Sequence, residues 1–437
     1  MEWYLALGFL LGLLCLCLLL SLPVAFAFMA ASLAGAAVFF GGEGMSQLAR
    51  NALVASTTHT LAPVPLFLMM GSLLFHTQLA GRAIDAVDRL IARVPGRLSV
   101  VAIAGGTIFS SFSGSTIATT AILGKTLLPE MRARGYQRGI AMGPIMATGG
   151  IAMLIPPSAL AVLLGSLAGI SVSGLLIAGI VPGIIMSTLF VGYVVTRCTL
   201  SPELAPAYEP ESLSAADKWK PFVVDVMPLM GIFFVVVGSI VAGWASPTES
   251  AALGCVFSAL LAFFKRVLSW SNLRETLLET AKVSCMILFV IAASTTFSQI
   301  LAFSGATDGL LQLFEGLDLT PLATVLCMVG VLLLLGAFMD QVSMLLLTLP
   351  FFLPLTLGQD IPSLWLGVVI LITMEISLLT PPFGLLLFVM RGVTQPPQPL
   401  GAIYSAAMPF VVLELLALTA IIALPALVLW LPDLVLG

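Results

Sequence analysis

Residues 100–128 constrain this chain more than any other stretch. An apolar run at 100–109 leads in and a second at 117–128 leads out; between them lie Ser110, Ser111, Ser113, Gly114, Ser115 and Thr116. Each flank is about half of the ~20 apolar residues that a spanning helix needs. Non-helical backbone at membrane depth is tolerated only where it is buried in protein or lines a cavity. The pattern therefore predicts a helical hairpin over 99–130 that enters a membrane and turns back. The plainer alternative is one spanning helix whose Ser and Thr pack against a neighbour.

Composition supplies the membrane. Of 437 residues, 60% are hydrophobic and 9% charged, against about 25% charged in soluble domains, and mean hydropathy is +1.15. The chain is expected to be an all-α polytopic protein in a lipid bilayer. A net charge of −4 and the lack of a basic tract exclude a nucleic-acid partner. The six cysteines lack paired-ligand spacing and read as buried small hydrophobes.

Taken in order, residues 3–20, 24–40 and 61–79 read as spans, with a polar loop at 41–58. Residues 81–97 interleave Arg82, Asp85, Asp88, Arg89, Arg93 and Arg97 with aliphatic positions, as an interfacial amphipathic helix does. Its arginines place it on the cytoplasmic side, so the hairpin enters from there. Residues 139–169 form a crossing broken at Pro156-Pro157, because proline removes a backbone donor and disfavours helix before it. Residues 175–196 return, and 201–220 form a cytoplasmic linker. The second half brings spans at 222–242 and 250–264, a basic loop with Lys265, Arg266, Arg274 and Lys282, and a span at 283–303. An acidic loop follows, then a second hairpin over 321–357 with its tip at 336–341. A crossing over 363–390 is broken at Pro381-Pro382, and 404–431 is the last span.

The punctuation repeats. Pro129 and Pro354, closing the two hairpins, are 225 residues apart, as are Pro156 and Pro381; Pro23 to Pro157 spans 134 residues and Pro247 to Pro382 spans 135. This predicts two repeats, 1–200 and 221–437, each with five full crossings. An odd number of crossings inverts the second against the first. Inverted repeats with broken helices at mid-membrane are how secondary transporters are built.

Broken helices present free carbonyls at one end and free N–H groups at the other. Carbonyls with Ser/Thr hydroxyls suit a hard cation such as Na⁺, and helix N-termini suit a carboxylate. The candidate substrate residues are Ser111, Ser113, Gly114, Ser115, Pro156, Pro157, Thr380 and Pro381. The candidate sodium residues are Ser110, Ser113, Thr116, Phe338, Asp340, Thr380 and Gly384. Charges inside a membrane are costly and usually functional, which singles out Asp340 as a sodium ligand or as the residue that orients the second tip. Glu249 reads as functional or as a helix-capping acid. Glu375 and Glu414 are further intramembrane acids.

The run from Ser110 to Tyr136, then Ile155-Pro156-Pro157-Ser158 and Ala178-Gly179-Ile180-Val181-Pro182-Gly183, resembles the large membrane subunit of TRAP (tripartite ATP-independent periplasmic) transporters. Pro247-Thr248-Glu249, the tip at 336–340 and Thr380-Pro381-Pro382-Phe383-Gly384 fit the same pattern. The resemblance covers essentially the whole chain. It implies a sodium-driven importer of the bacterial inner membrane with an elevator movement and an ion-transporter-superfamily-like fold. It also implies small organic-acid substrates, among them C4-dicarboxylates and sialic acid. The implied partners are a periplasmic substrate-binding protein and a separate small four-helix membrane subunit. A stand-alone sodium–dicarboxylate symporter is the alternative within transport. An intramembrane enzyme lacks a histidine in a plausible partner span and a zinc motif, and a channel fits paired hairpins less well.

Overall fold

The computed structural model describes every residue except 1, 21, 42–43, 92–93, 114, 207–214, 317–318, 357–358 and 437. All regular elements among the described residues are helical. Among the described residues, six helices are long and apolar enough to cross a membrane: His59–His76, Val172–Leu200, Trp219–Val241, Pro247–Phe264, Trp270–Phe303 and Leu400–Ala423. Shorter apolar helices of 10–17 residues include Trp3–Leu19 and Val24–Phe39.

Both sequence-predicted hairpins consist of two helices around a short tip, Arg97–Ser113 with Thr116–Ala133 and Pro321–Gly336 with Gln341–Thr356. Both proline breaks interrupt a helix. The first separates Arg138–Ile151 from Ala159–Ala168, and the second separates Ser363–Leu379 from Leu385–Val393. Pro156-Pro157 and Pro381-Pro382 are cis.

Several expectations need correction. The polar loop at 41–58 contains a helix, Gly44–Thr57. Its polarity suggested a loop, but Gln47 and Asn51 are one turn apart and find partners together. Asn51 Nδ2 donates to Thr296 Oγ1 at 3.0 Å and to Gln299 Oε1 at 2.8 Å, and Gln47 Nε2 donates to Gln299 Oε1 at 2.9 Å. The basic loop before residue 283 is largely helix, because Trp270–Phe303 runs unbroken for 34 residues. The acidic loop holds the helix Ala306–Gly316. The last span divides at Leu424-Pro425 into Leu400–Ala423 and Ala426–Leu436. Pro129 and Pro354 lie inside helices rather than closing them. Part of the 201–220 linker lies outside the described residues.

The chain forms two compact units that draw on both sequence halves. One comprises Met1–Leu61, Ala281–Leu332 and Met339–Pro362; the other comprises Ala62–Thr280, Leu333–Phe338 and Ser363–Gly437. The first is built on a core of Leu10, Leu14, Phe28, Phe297 and Ile300. Ser32 Oγ donates to the Ala293 carbonyl there at 3.1 Å.

The second unit is organised around Arg138–Ile151, buried at every position from Ile140 onward. This helix packs against both arms of the first hairpin, against Ile180–Leu200, Ser363–Leu379 and Leu400–Ala423. Ser363–Leu379 is itself buried from Trp365 to Leu379. The longer halves of both broken helices therefore make the core of one unit. Elsewhere in this unit, Ser246 and Glu249 form a reciprocal capping box, with Ser246 N–H donating to Glu249 Oε2 at 2.7 Å. That is the capping reading of Glu249.

Candidate functional site: the two helix breaks

Ser110 is fully buried, and its Oγ donates to the Thr148 carbonyl at 3.1 Å, tying the first hairpin to the first broken helix. Ser111 and Ser113 lie in helical backbone; their side chains, and Gly114 altogether, are outside the described residues. Ser115 caps the second arm, its Oγ accepting from Ala118 N–H at 3.3 Å. Thr116 is buried. Its carbonyl lies against Gly149, where a Cβ would come within 3.0 Å of it and within 2.2 Å of Thr120 Oγ1. The tip and the helix before Pro156 thus meet backbone to backbone.

At the first break every residue from Ile151 to Leu160 is buried, Pro156 and Pro157 included. Ser158 caps the restarting helix, accepting from Ala161 N–H at 3.2 Å. The Leu154 carbonyl is pressed against Gly179, whose Cβ would come within 2.2 Å of it. Only glycine permits so close an approach.

The second break is built differently. Thr380 and Pro381 are half-buried, and Pro382 and Phe383 are exposed. Thr380 Oγ1 donates to the Ile376 carbonyl at 2.8 Å, and the Thr380 carbonyl accepts from Gly384 N–H at 3.2 Å. Tyr404 Oη donates to the Pro382 carbonyl at 2.6 Å. Gly384 begins the restarting helix and offers no side-chain cap. That helix packs against the second arm of the first hairpin, where Val393 fills the space over Gly124. The rings of Phe338 and Phe383 lie 5.6 Å apart, and Phe383 stacks 6.4 Å from Phe388.

The predicted residues of the first hairpin and first break, together with Phe338, Thr380, Pro381 and Gly384, lie in this one unit. Asp340 belongs to the other. There it caps Gln341–Thr356: its Oδ2 accepts from Val342 N–H at 3.1 Å and Ser343 N–H at 3.2 Å, and its Oδ1 accepts from Ser343 Oγ. The carboxylate is bonded to the first turn of its own helix.

Glu375 was absent from the candidate site residues. It is fully buried against Gly150, whose Cβ would come within 2.3 Å of its Cγ and Oε1. Gly150 and Glu375 mark the crossing of the two broken helices. Glu414 is equally buried, interacts electrostatically with Glu375, and all four carboxyl oxygens lack a hydrogen-bond partner. The signal was present as acids in otherwise apolar helices. No cluster of three or more His, Cys, Asp or Glu side chains suited to a metal exists among the described residues.

Among the described residues the fold is all-helical, with two tipped helix pairs, two broken helices and several helices apolar enough to cross a membrane. The chain resembles the solved YdaH transporter of Alcanivorax borkumensis with a TM-score of 0.64, at 14% identity and 90% coverage of both chains. It resembles Neisseria gonorrhoeae MtrF with a TM-score of 0.54, also at 14% identity, covering 87% of this chain and 83% of that one.

Sequence comparison then identifies the family. The chain belongs to the tripartite ATP-independent periplasmic transporters, as their DctM component, whose family profile matches residues 11–427. It is 32% identical to the C4-dicarboxylate TRAP transporter large permease protein of Pseudomonas aeruginosa, over 91% of each chain. It is 28% identical to the ectoine large permease of Halomonas elongata, over 95% of this chain and 96% of that one. To the 2,3-diketo-L-gulonate large permease of Escherichia coli it is 27% identical, over 86% and 87%. The chain is a transporter permease subunit and not an enzyme, a multi-pass protein of the bacterial inner membrane.

Proposed function

We propose that this subunit forms the pathway for sodium-coupled import of a small organic acid, and that the second break receives the substrate's carboxylate. The observation that carries this reading is the open break at Thr380–Gly384. It ends one helix and starts another without a side-chain cap, beside an exposed aromatic stack. The N–H groups of an uncapped helix start suit a carboxylate, and dicarboxylates, ectoine and diketogulonate all carry one.

Sodium is the transported coupling ion in this proposal, held by carbonyls and hydroxyls. Its candidate residues are Ser110, Ser113 and Thr116 at the first tip, Phe338, Thr380 and Gly384 in the same unit, and, by itself in the other unit, Asp340. The repeats at 1–200 and 221–437, related by inversion, would carry the site across by an elevator movement. Supply by a periplasmic binding protein and completion by a small four-helix membrane subunit are part of the same reading. The tripartite character of the family supports both.

The test is thermal stability of the purified protein in NaCl, KCl and choline chloride at matched ionic strength. A ligand at a hundredfold excess over its Kd stabilises by about 2.7 kcal/mol, so a sodium-specific rise is expected. Equal behaviour in the three salts overturns sodium coupling. Asp340→Asn retains a cap acceptor but removes the charge, and should diminish the sodium effect. An undiminished shift assigns Asp340 to capping alone.

A further inference from the structure

The helix Leu79–Leu90 buries Leu79, Ala83, Ile84, Ala86 and Val87 and leaves Arg82, Asp85 and Arg89 exposed. Such a two-faced helix lies in the headgroup layer of a bilayer. Its charged face looks onto a cavity of about 350 Å³ whose other wall is Lys220, Pro221, Val224 and Asp225. That volume falls within the ~300–1,000 Å³ of small-molecule sites.

Depth is set by the second wall. The apolar span Trp219–Val241 begins beside Lys220, with Trp219 exposed at its edge. Tryptophan at a span end marks the membrane–water interface. Both walls of the cavity therefore sit at headgroup level, on the side that the arginine-rich sequence assigns to the cytoplasm.

The charge balance in the cavity is positive. Among the described residues, the side chains of Arg82 and Lys220 form no hydrogen bond or ion pair, and Arg89 has Asp85 as its electrostatic neighbour. The two lining carboxylates do not cancel them. Asp225 is engaged by Lys265, whose Nζ lies 2.7 Å from its Oδ1. Asp85, although exposed at the cavity, is partly desolvated by the surrounding protein and lies near Asp88, both of which discourage its ionisation, with Arg89 opposing. Asp88 is itself clamped by Arg97, which donates to both of its carboxylate oxygens at 2.8 and 3.1 Å. Arg82 and Lys220, with Arg89 facing Asp85, thus surround a cavity at the depth of lipid phosphates.

We infer that the cavity between Leu79–Leu90 and the start of Trp219–Val241 binds the phosphate headgroup of an anionic phospholipid, with Arg82, Arg89 and Lys220 as its cationic ligands. Basic pockets beside spanning helices on the cytoplasmic side take anionic headgroups by the same electrostatics. The inference stands whether or not the proposed sodium coupling holds.

The experiment uses the full chain in detergent with added phosphatidylglycerol, phosphatidylcholine or inorganic phosphate. Thermal stability and native mass spectrometry are read in parallel. Phosphatidylglycerol is expected to raise the melting temperature and to appear as a retained adduct, whereas phosphatidylcholine does neither. In the triple variant R82Q/R89Q/K220Q the half-maximal lipid concentration should rise by at least about tenfold. These side chains lie on the surface, so the variant should fold, and the adduct count is read independently of its stability. An equal response to phosphatidylcholine overturns the proposal, as does a triple variant that retains the adduct. A response reproduced by inorganic phosphate alone reassigns the cavity to a soluble phosphate and overturns the lipid.

Discussion

At the first break the chain is sealed. Pro156 and Pro157 lie within a run of buried residues, Ser158 caps the helix that follows, and Gly179 is pressed onto the Leu154 carbonyl. At the second break, in the same unit, Pro382 and Phe383 are exposed, no side chain caps the next helix, and Tyr404 provides a single hydrogen bond to Pro382. The two share a Pro-Pro interruption 225 residues apart. What differs is the wrapping: at the first, Gly179 and Gly183 close onto Leu154 and Ile155 while the first hairpin packs on the helix before it, and the second is left open. On the proposed reading, the sealed break anchors the fold and the open one meets the substrate.

Four substitutions test this contrast, in descending order of effect on stability. Gly179→Ala sets a Cβ within 2.2 Å of the Leu154 carbonyl. Backbone cannot yield as a side chain does, so a loss of about 1–3 kcal/mol is expected, read as a lowered melting temperature. An unchanged melting temperature would mean the first break is not rigid. Ser158→Ala removes the cap of the buried helix and should cost about 1 kcal/mol; a negligible loss in denaturant or thermal unfolding would show that burial alone holds that helix. Tyr404→Phe deletes the hydrogen bond to Pro382, for about 0.5–1.5 kcal/mol. Its larger signature is expected in sodium-driven succinate uptake by the reconstituted complex, because the open break loses its tether. Phe383→Ala should change stability by no more than about 0.5 kcal/mol yet reduce that uptake. Normal uptake would remove the aromatic stack from the pathway.

Much of the local architecture was legible in the sequence. The two tips and both breaks occur where small polar residues or paired prolines interrupt apolar runs. Legibility failed where polarity was taken for irregular structure. Gln47 and Asn51 sit on a helix because their spacing lets both reach Gln299. Trp270–Phe303 continues through Arg274 and Lys282, since charge by itself does not stop a helix. Glu375 was legible as an intramembrane acid, but its seat against Gly150 was not, because the two lie on helices 225 residues apart in sequence.

The sequence by itself determined that this chain lives in a bilayer and that its apolar runs break at the two tips and the two Pro-Pro pairs. These follow from apolar content, from small polar residues between apolar runs and from proline's missing N–H, all local effects. Only the tertiary structure decided which break is buried and which is open, that Glu375 lies on Gly150, and that Asp340 spends its carboxylate on its own helix. Burial and contact depend on which distant helices come together, and two breaks with the same prolines can be wrapped in unlike ways.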